Sequence, residues 1–303
     1  MTHCFRFMLC WVVALMQGCA IYAPQYYAGK QTFAERFEGL PRKVDMVEVP
    51  FIPQDSFYCG PASLSSVLTY LGKDASFDEL ESELVLPARR GTLQLDMLVV
   101  ARKRGVVPHV LAPQLDDLIR TLAMGYPVIA LENFGSALFP LWHYSVIVGY
   151  DLDTGHLFRR SGMREYTRIP IPVFEYLWAD DGHWAMTVLP THVAPIQPKQ
   201  TLWRDQLLQM EKDLQPAQAL VAWSTFSKAF PQDPLGWAAQ GNALANQQDW
   251  TPAAQRYEQA LNLAPDHVRM AKAGAEIFGR AGLEGQAECA RRVAGQAAKW
   301  PCQ

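Results

Sequence analysis

The sequence predicts an α+β domain followed by an all-helical domain, and three observations lead to this prediction. With 303 residues, the chain is long enough for two folded units, since a domain commonly holds about 100–200 residues. Between residues 44 and 190, short apolar or alternating runs typical of strands are mixed with amphipathic runs of helical period. Beyond a proline-marked break near 190–201, the sequence is rich in Ala, Gln and Leu and repeats itself with a period of about 34 residues.

In the first domain, most of the helices precede the strands. The pattern predicts a strand at 44–51, helices at 59–72, 77–86 and 92–104, a strand at 106–111, a helix at 115–124, a strand at 127–131, a hairpin of strands at 143–150 and 156–160, and a closing strand at 184–189. Helices followed by antiparallel strands are the layout of an α+β domain.

Composition and charge narrow the classes of function. Half of the residues are hydrophobic and 19% are charged, which favours packed cores over long disorder. A net charge of −3 and the lack of a Lys/Arg block in the sequence disfavour nucleic acid as a partner. The spacing of the six cysteines fits neither paired metal knuckles nor a dense disulfide framework, which disfavours structural zinc. The chemistry predicted below requires no metal or cofactor.

The amino terminus is predicted to be a targeting segment. A charged start precedes an apolar run at 7–16, which has the length of a signal-peptide core and is too short to span a bilayer. The letters LMQGC at 15–19 resemble the lipobox of bacterial lipoproteins, so Cys19 is expected to be lipidated. Because Ala20 is not the Asp associated with inner-membrane retention, the resemblance implies an outer-membrane lipoprotein facing the periplasm. Soluble export to the periplasm and a buried N-terminal helix are the alternatives.

The C-terminal part carries the repeat. Small or aromatic residues stand in the order and spacing of a tetratricopeptide unit at Trp237, Gly241, Leu244, Ala253, Tyr257, Ala260 and Pro265. One period earlier lie Trp203, Ala219, Trp223 and Pro231, and a poorer copy follows at Ala271, Ala287 and Ala294. The resemblance implies about three tetratricopeptide repeats with a concave surface for a peptide or protein partner. A generic helical bundle is the alternative.

One stretch of the first domain has the residues that a thiol nucleophile needs. Cys59 is predicted to begin a helix, where unpaired backbone amides lower the pKa of a thiol. Gly60 permits a tight entry and Pro61 suits the first helical turn. Gln54 can donate its side-chain amide to an oxyanion beside the Cys59 backbone N–H. His143 opens an apolar strand, whose end can bring the imidazole to the thiol proton.

These residues resemble a known family. The run at 54–64 reads Q-x4-C-G-P-A-x-L, and His143 begins the run H-Y-S-V-I-V-G-Y-D. Together they resemble the papain-like cysteine peptidases related to the leader-processing, double-glycine peptidases of bacteriocin exporters, in the stand-alone exported form with C-terminal tetratricopeptide repeats. The resemblance implies a papain-like fold, with Cys59 as nucleophile, His143 as general base and acid, and Gln54 as oxyanion donor. A buried inert thiol, a core histidine and an ordinary loop glutamine are the structural alternatives.

One feature of that family is missing from the sequence. The resemblance implies an Asp on the strand after the histidine, to orient the imidazole, but residues 159–161 are Arg, Arg and Ser. If residues 161–165 lie opposite His143 across the hairpin, Ser161 or Glu165 can take this role. Asn133, in the preceding loop, is a third candidate.

The sequence therefore predicts an exported, lipid-anchored cysteine peptidase that acts on a secreted or envelope protein, with repeats that recruit the substrate or a partner. A non-catalytic envelope scaffold with a degenerate peptidase domain and an acyl-transferring enzyme are the alternatives. Export would permit Cys289 and Cys302 to pair, which leaves Cys59 as a thiol. The predicted organisation is a signal peptide at 1–19, an N-terminal extension at 20–43, the peptidase domain at 44–190, a proline-rich linker at 191–201 and the repeats at 202–303.

Overall fold

The computed structural model of the chain describes residues 31–54, 57–85, 91–136 and 138–302. The predicted signal peptide at 1–19 and its lipidation site, Cys19, lie outside these residues. Within the described ranges, every helix is too short or too polar to span a bilayer.

The first part of the chain forms one antiparallel sheet. Among the described residues its strands are β1 (Lys43–Asp45), β2 (Val107–Val110), β3 (Val128–Asn133), β4 (Trp142–Asp151), β5 (His156–Ser161), β6 (Arg164–Pro170) and β7 (Ala185–Leu189). The order across the sheet is β2-β7-β3-β4-β5-β6, and β1 pairs with the end of β4 beyond β3. β4 is thus the central strand, and residues 143–150 of β4 are buried.

Helices pack around this sheet. They are α1 (Phe33–Arg36), α2 (Cys59–Tyr70), α3 (Phe77–Leu84), α4 (Gln94–Lys103), α5 (Leu115–Ala123) and α6 (Ile171–Ala179). Ten of the twelve residues of α2 are buried, because its side chains are small or apolar on every face. The buried serines of α2 donate to backbone carbonyls, for example Ser65 to Ala75 at 2.6 Å, so burying them leaves no unpaired hydroxyl. The predicted α+β class of this domain is confirmed.

Two segments differ from the sequence prediction. The strand predicted at 44–51 is limited to β1, because the chain turns at Met46, whose carbonyl accepts from the Val49 N–H at 3.2 Å. β6 and α6 were not predicted. β6 is an exposed edge strand with an irregular polar pattern, and such a pattern gives little periodic signal.

The second part of the chain is helical throughout its described elements. Its helices are α7 (Gln200–Met210), α8 (Pro216–Ala229), α9 (Pro234–Ala245), α10 (Trp250–Leu263), α11 (Val268–Arg280) and α12 (Glu284–Ala294). Gly241 lies against the Tyr257 ring, where an added Cβ would come within 2.5 Å. This close approach of α9 and α10 agrees with the predicted small residue in the repeat. An all-helical region is confirmed, while the tetratricopeptide assignment stays a prediction.

Two further contacts stabilise the helical part. Cys289 of α12 and Cys302 form a disulfide, so the pairing that the sequence permitted is present. At the other end, Val107 of β2 is buried in one apolar cluster with Trp203 and Leu207 of α7. The helices therefore pack directly on the edge of the sheet.

Candidate active site

The first turn of α2 lies against the beginning of β4. The backbone N–H groups of Tyr144, Cys59 and Gly60 face the Cys59 sulfur as hydrogen-bond donors. The Ser63 hydroxyl donates to the Tyr144 carbonyl at 3.3 Å. Both backbone groups of Tyr144 thus bind α2 rather than a strand.

This contact is possible because β5 leaves β4 at that level. The pairing of β4 with β5 ends at Val146 opposite Arg160, since the chain turns through Gly162 at a φ of +58°. The N-terminus of α2 fills the place beside β4 that a longer β5 would occupy. The fold therefore brings Cys59 next to the residue that follows His143.

The environment of Cys59 changes the pKa of its thiol in the opposite direction from the sequence prediction. The side chain is 7% exposed and is not part of a disulfide. Burial raises the pKa of the Cys59 thiol, and the three backbone N–H donors oppose this effect without cancelling it. The expected lowering of the pKa by the helix N-terminus is present as one contribution, but the net prediction was wrong because desolvation is larger.

Gln54 lies beside the same helical turn. With its amide oriented to suit its neighbours, Nε2 donates to the carbonyls of Tyr58 and Cys59 at 3.2 and 3.3 Å. The Gln54 backbone N–H donates to the Gly162 carbonyl at 3.3 Å, which ties the glutamine to the turn after β5. The predicted neighbours Gln54 and Cys59 are thus in contact.

His143 lies near the start of β4 and is 7% exposed. Its ring stacks on Phe134, with ring centroids 5.1 Å apart. Burial and the nearby Arg159 guanidinium lower the pKa of His143 to about 4, so the imidazole is neutral at neutral pH. Its Nε2 atom is buried and has no hydrogen-bond partner among the described residues.

The three candidates for orienting His143 are engaged elsewhere. Ser161 accepts from the Ser145 hydroxyl at 3.1 Å. Glu165 is exposed and its nearest cation is Arg160 at 3.9 Å.

Asn133 is the last residue of β3 rather than a loop residue as predicted, and its side chain binds the loop between β3 and β4. Its Oδ1 accepts from the backbone N–H groups of Gly135 and Leu141, both at 2.9 Å, and its Nδ2 donates to Asp180 at 2.7 Å. No hydrogen bond joins these candidates to His143 within the described ranges. The expectation that residues 161–165 lie opposite His143 was wrong, because the pairing of β4 with β5 ends at Val146, three residues along β4 from His143.

The residue opposite His143 is Glu132 of β3, which the sequence reasoning missed. Its side chain is fully buried and forms an ion pair with Arg159 of β5. Burial raises the pKa of Glu132, and the Arg159 guanidinium and the Ser145 hydroxyl oppose this effect without cancelling it. The signal in the sequence was an acidic residue at the end of the apolar run 128–131, just beyond the predicted strand.

The fold and the site together define a class of protein, one that has the groups for chemistry at a thiol. A helix N-terminus holds a buried thiol, an imidazole follows on the adjacent central strand, and a side-chain amide lies against the same helical turn. This is the set of groups that thiol-dependent acyl chemistry requires. Within the described ranges, no three His, Cys, Asp or Glu side chains are grouped to hold a metal ion.

Comparison with known families agrees with this class. Residues 46–161, which include Gln54, Cys59 and His143, match the sequence model of the family described as Peptidase_C39 like family. This match, over somewhat more than a third of the chain, indicates a peptidase domain of the cysteine type. No curated protein sequence matches the chain.

Several solved structures resemble part of the chain. A C39-like peptidase from Bacillus anthracis is 18% identical, covers 49% of this chain and 98% of its own, and has a TM-score of 0.42. The peptidase domain of Streptococcus ComA, a bi-functional ABC transporter involved in quorum sensing, is 24% identical over 47% of this chain and 98% of its own, with a TM-score of 0.39. A double glycine motif protease from an AMS/PCAT transporter, in complex with its leader peptide, is 22% identical over 48% of this chain and 92% of its own, with a TM-score of 0.37.

Proposed function

We propose that this protein is an exported cysteine peptidase that hydrolyses peptide bonds in a secreted or envelope protein. The observation that carries the proposal is the Tyr144 N–H that faces the Cys59 sulfur, because it sets the thiol beside the backbone of His143. The family match over 46–161 supports the same activity.

The proposed reaction is acyl transfer through a thioester. The Cys59 sulfur attacks the peptide carbonyl carbon while its proton passes to the neutral imidazole of His143, and the oxyanion binds the Cys59 N–H and Gln54 Nε2. The carbon–nitrogen bond then breaks, and His143 returns the proton to the leaving amine. Water, deprotonated by His143, cleaves the thioester and restores the thiol. Gln54 must release the carbonyls of Tyr58 and Cys59 to act, so its amide is expected to move when substrate binds.

The neutral resting state of Cys59 and His143 determines when the thiol proton is transferred relative to the attack on the substrate. Burial raises the pKa of Cys59 and holds that of His143 at about 4, so at neutral pH the free protein contains a thiol and a neutral imidazole. Proton transfer therefore accompanies attack on the substrate rather than preceding it.

The proposal extends to the other parts of the chain. The C-terminal helices, as tetratricopeptide repeats, recruit the substrate or a protein partner, and Cys19 anchors the protein by lipid to the outer membrane, facing the periplasm. The disulfide between Cys289 and Cys302 supports export, because disulfides persist in oxidising compartments. Soluble periplasmic export remains the alternative location.

A digest of a peptide library tests the activity. Purified protein lacking residues 1–19 is incubated with peptides derived from envelope proteins, and new peptide termini are identified by mass spectrometry. Cleavage by the parent protein, with none by Cys59→Ala and at least a hundredfold less by His143→Ala, is the expected result. Equal cleavage by the parent and Cys59→Ala would refute the proposal.

A non-catalytic scaffold is the second candidate, and the neutral, buried state of Cys59 and His143 favours it. The two functions differ in their reaction with a peptidyl chloromethyl ketone, which needs both a bound peptide and an active thiol. Labelling of Cys59 that depends on His143 supports the peptidase. If the ketone labels Cys59 no faster than chloroacetamide, which carries no peptide, the result supports the scaffold.

A further inference from the structure

Glu132 and His143 are direct neighbours across the strand pair β3–β4. They lie opposite each other in the antiparallel register, so their side chains project from the same face of the sheet with Cβ atoms about 5 Å apart. Glu132 is completely buried and His143 is nearly so. Water is therefore a poor partner for either side chain.

Each of these two side chains has one polar atom that lacks a partner. Glu132 Oε1 and His143 Nε2 are both buried, and neither has a partner at hydrogen-bond geometry within the described part of the chain. The Ser145 hydroxyl, which donates to Ser161, is the other polar group near the Glu132 carboxylate and helps to stabilise it. Glu132 Oε1 is an acceptor, and His143 Nε2 is a donor when the imidazole is protonated at Nε2. A buried polar atom without a hydrogen-bond partner destabilises the folded protein. A hydrogen bond between these two atoms, which lie on directly opposed residues, would remove that cost for both.

Arg159 keeps the carboxylate available for this role. Its guanidinium reaches across β4 from β5, binds the other oxygen of Glu132 and lies over the Phe134 ring, 5.3 Å from its centroid. Phe134 in turn stacks on His143. The ion pair opposes the effect of burial, which raises the pKa of Glu132, and so favours the ionised form, whose oxygens only accept hydrogen bonds.

We propose that Glu132, paired with Arg159, accepts a hydrogen bond from Nε2–H of His143 and thereby positions the imidazole, with Nδ1 left to take the thiol proton. Formation of this hydrogen bond requires the Glu132 carboxylate to turn about its last torsion, which is soft. The inference rests on the proposed peptidase function. Glu132 is a positioning residue because it acts through His143. Glu132 takes the role of the Asp that the family resemblance implied, but it does so from β3, on the opposite side of β4. Arg159 occupies one of the positions, 159–161, at which that Asp was expected.

The first test measures the tautomer of His143 in the protein that lacks residues 1–19 and carries no substitution. Long-range ¹H–¹⁵N NMR of the imidazole distinguishes Nε2–H from Nδ1–H. A neutral Nε2–H tautomer is expected at neutral pH. An Nδ1–H tautomer would overturn the proposal without any variant having to fold.

The second test uses paired variants. Glu132→Met/Arg159→Met removes the acceptor and the cation together, so no buried charge is left unpaired. Glu132→Gln keeps an oxygen acceptor. We expect the double variant to lose the tautomer preference and to cleave peptides about tenfold to a hundredfold more slowly, mainly in kcat. Glu132→Gln should retain the tautomer and recover part of the rate.

Glu165→Gln is the matched control, because Glu165 is an exposed glutamate that makes no described contact with His143. It should match the parent in both measurements. A double variant that folds and keeps the Nε2–H tautomer and the parental rate would show that Glu132 only pairs with Arg159. If the parent cleaves nothing but its tautomer depends on Glu132, the peptidase function fails while the positioning contact stands.

Discussion

The Cys59 thiol is subject to two opposing effects. Three backbone N–H groups stabilise its thiolate, but burial removes the water that would otherwise solvate the charge. Because desolvation is the larger effect, the resting protein keeps the proton on sulfur. A protonated and buried thiol reacts slowly with oxidants and electrophiles.

The protonated thiol predicts a pH dependence for alkylation. The raised pKa of Cys59 means that its reaction with iodoacetamide should rise up to and beyond the range of an ordinary thiol, about 8.5. His143→Ala should change this profile little, since the imidazole is neutral above about pH 4. Mass spectrometry of the Cys59 peptide measures the rate. A plateau that extends down to about pH 5 and disappears in His143→Ala would show a thiolate–imidazolium pair instead.

Two histidines, the buried His143 and the half-buried His109, predict a loss of stability in mild acid. Burial lowers the pKa of both His143 and His109 from 6.5 to about 4. The unfolded chain therefore binds protons that the folded protein does not, and the free energy of unfolding falls as pH drops from about 6.5 to about 4, by up to about 3 kcal/mol for each residue.

Urea unfolding at several pH values measures this effect. His109→Gln should reduce the pH dependence, whereas the change of an exposed histidine, His192→Gln, should leave it as it is. A free energy of unfolding that stays constant between about pH 4 and pH 7 would contradict the assignment.

Helix α2 is held in place by a contact that only glycine permits. A Cβ on Gly60 would lie 2.5 Å from the Thr92 Cβ. Thr92 cannot easily retreat, because its carbonyl accepts from the Tyr144 hydroxyl at 3.2 Å. The contact with Thr92 thus fixes the position of the first turn of α2, next to Cys59.

Gly60→Ala should therefore destabilise the protein by about 1–3 kcal/mol, because the clash outweighs the better helix propensity of alanine. Gly279→Ala is the matched control, since a Cβ on this helical glycine would meet no atom within 4 Å. It should stabilise the protein by up to about 1 kcal/mol. Midpoints of urea unfolding compare the two, and a stabilising Gly60→Ala would exclude the clash.

The elements that the sequence predicted are those with strong periodicity or strong end signals. Helix α2, the hairpin of β4 and β5, and the C-terminal helices follow from apolar patterns and from Gly and Pro positions. The orienting group of His143 could not be found in this way. Its prediction needed the level at which β5 leaves β4, and that level depends on the turn at Gly162 and on α2 filling the space beside Tyr144. Sequence spacing along one hairpin does not contain this information.

At the scale of the whole molecule, the two parts of the chain share apolar contacts. Val107 of the sheet edge is buried with residues of α7, so the helical part covers the first half of β2, while Val110 at its other end is exposed. The far end of the helical part is closed by the disulfide of Cys302 and by Trp300, which stacks on Phe278 with centroids 5.3 Å apart. The chain is thus stabilised at the junction and at its C-terminal end.

Reduction of the disulfide should weaken the helical part selectively. Cys289 and Cys302 are 13 residues apart, and closing a loop of that size stabilises a fold by about 3 kcal/mol. Cys289→Ser/Cys302→Ser should show an earlier unfolding transition of the C-terminal helices, with no change in cleavage by Cys59. Hydrogen exchange of α11 and α12 locates the effect. Loss of protection in the sheet as well would mean that the two parts unfold as one unit.

The burial of α2 has a consequence for how this chain can diverge. Cys59, Gly60, Pro61 and Ala62 are all buried within the helix, so the packing of the core constrains them whether or not the protein cuts peptides. In a descendant that lost its chemistry, this run should therefore persist. Retention of the cysteine run alone is a poor mark of a working enzyme among its relatives.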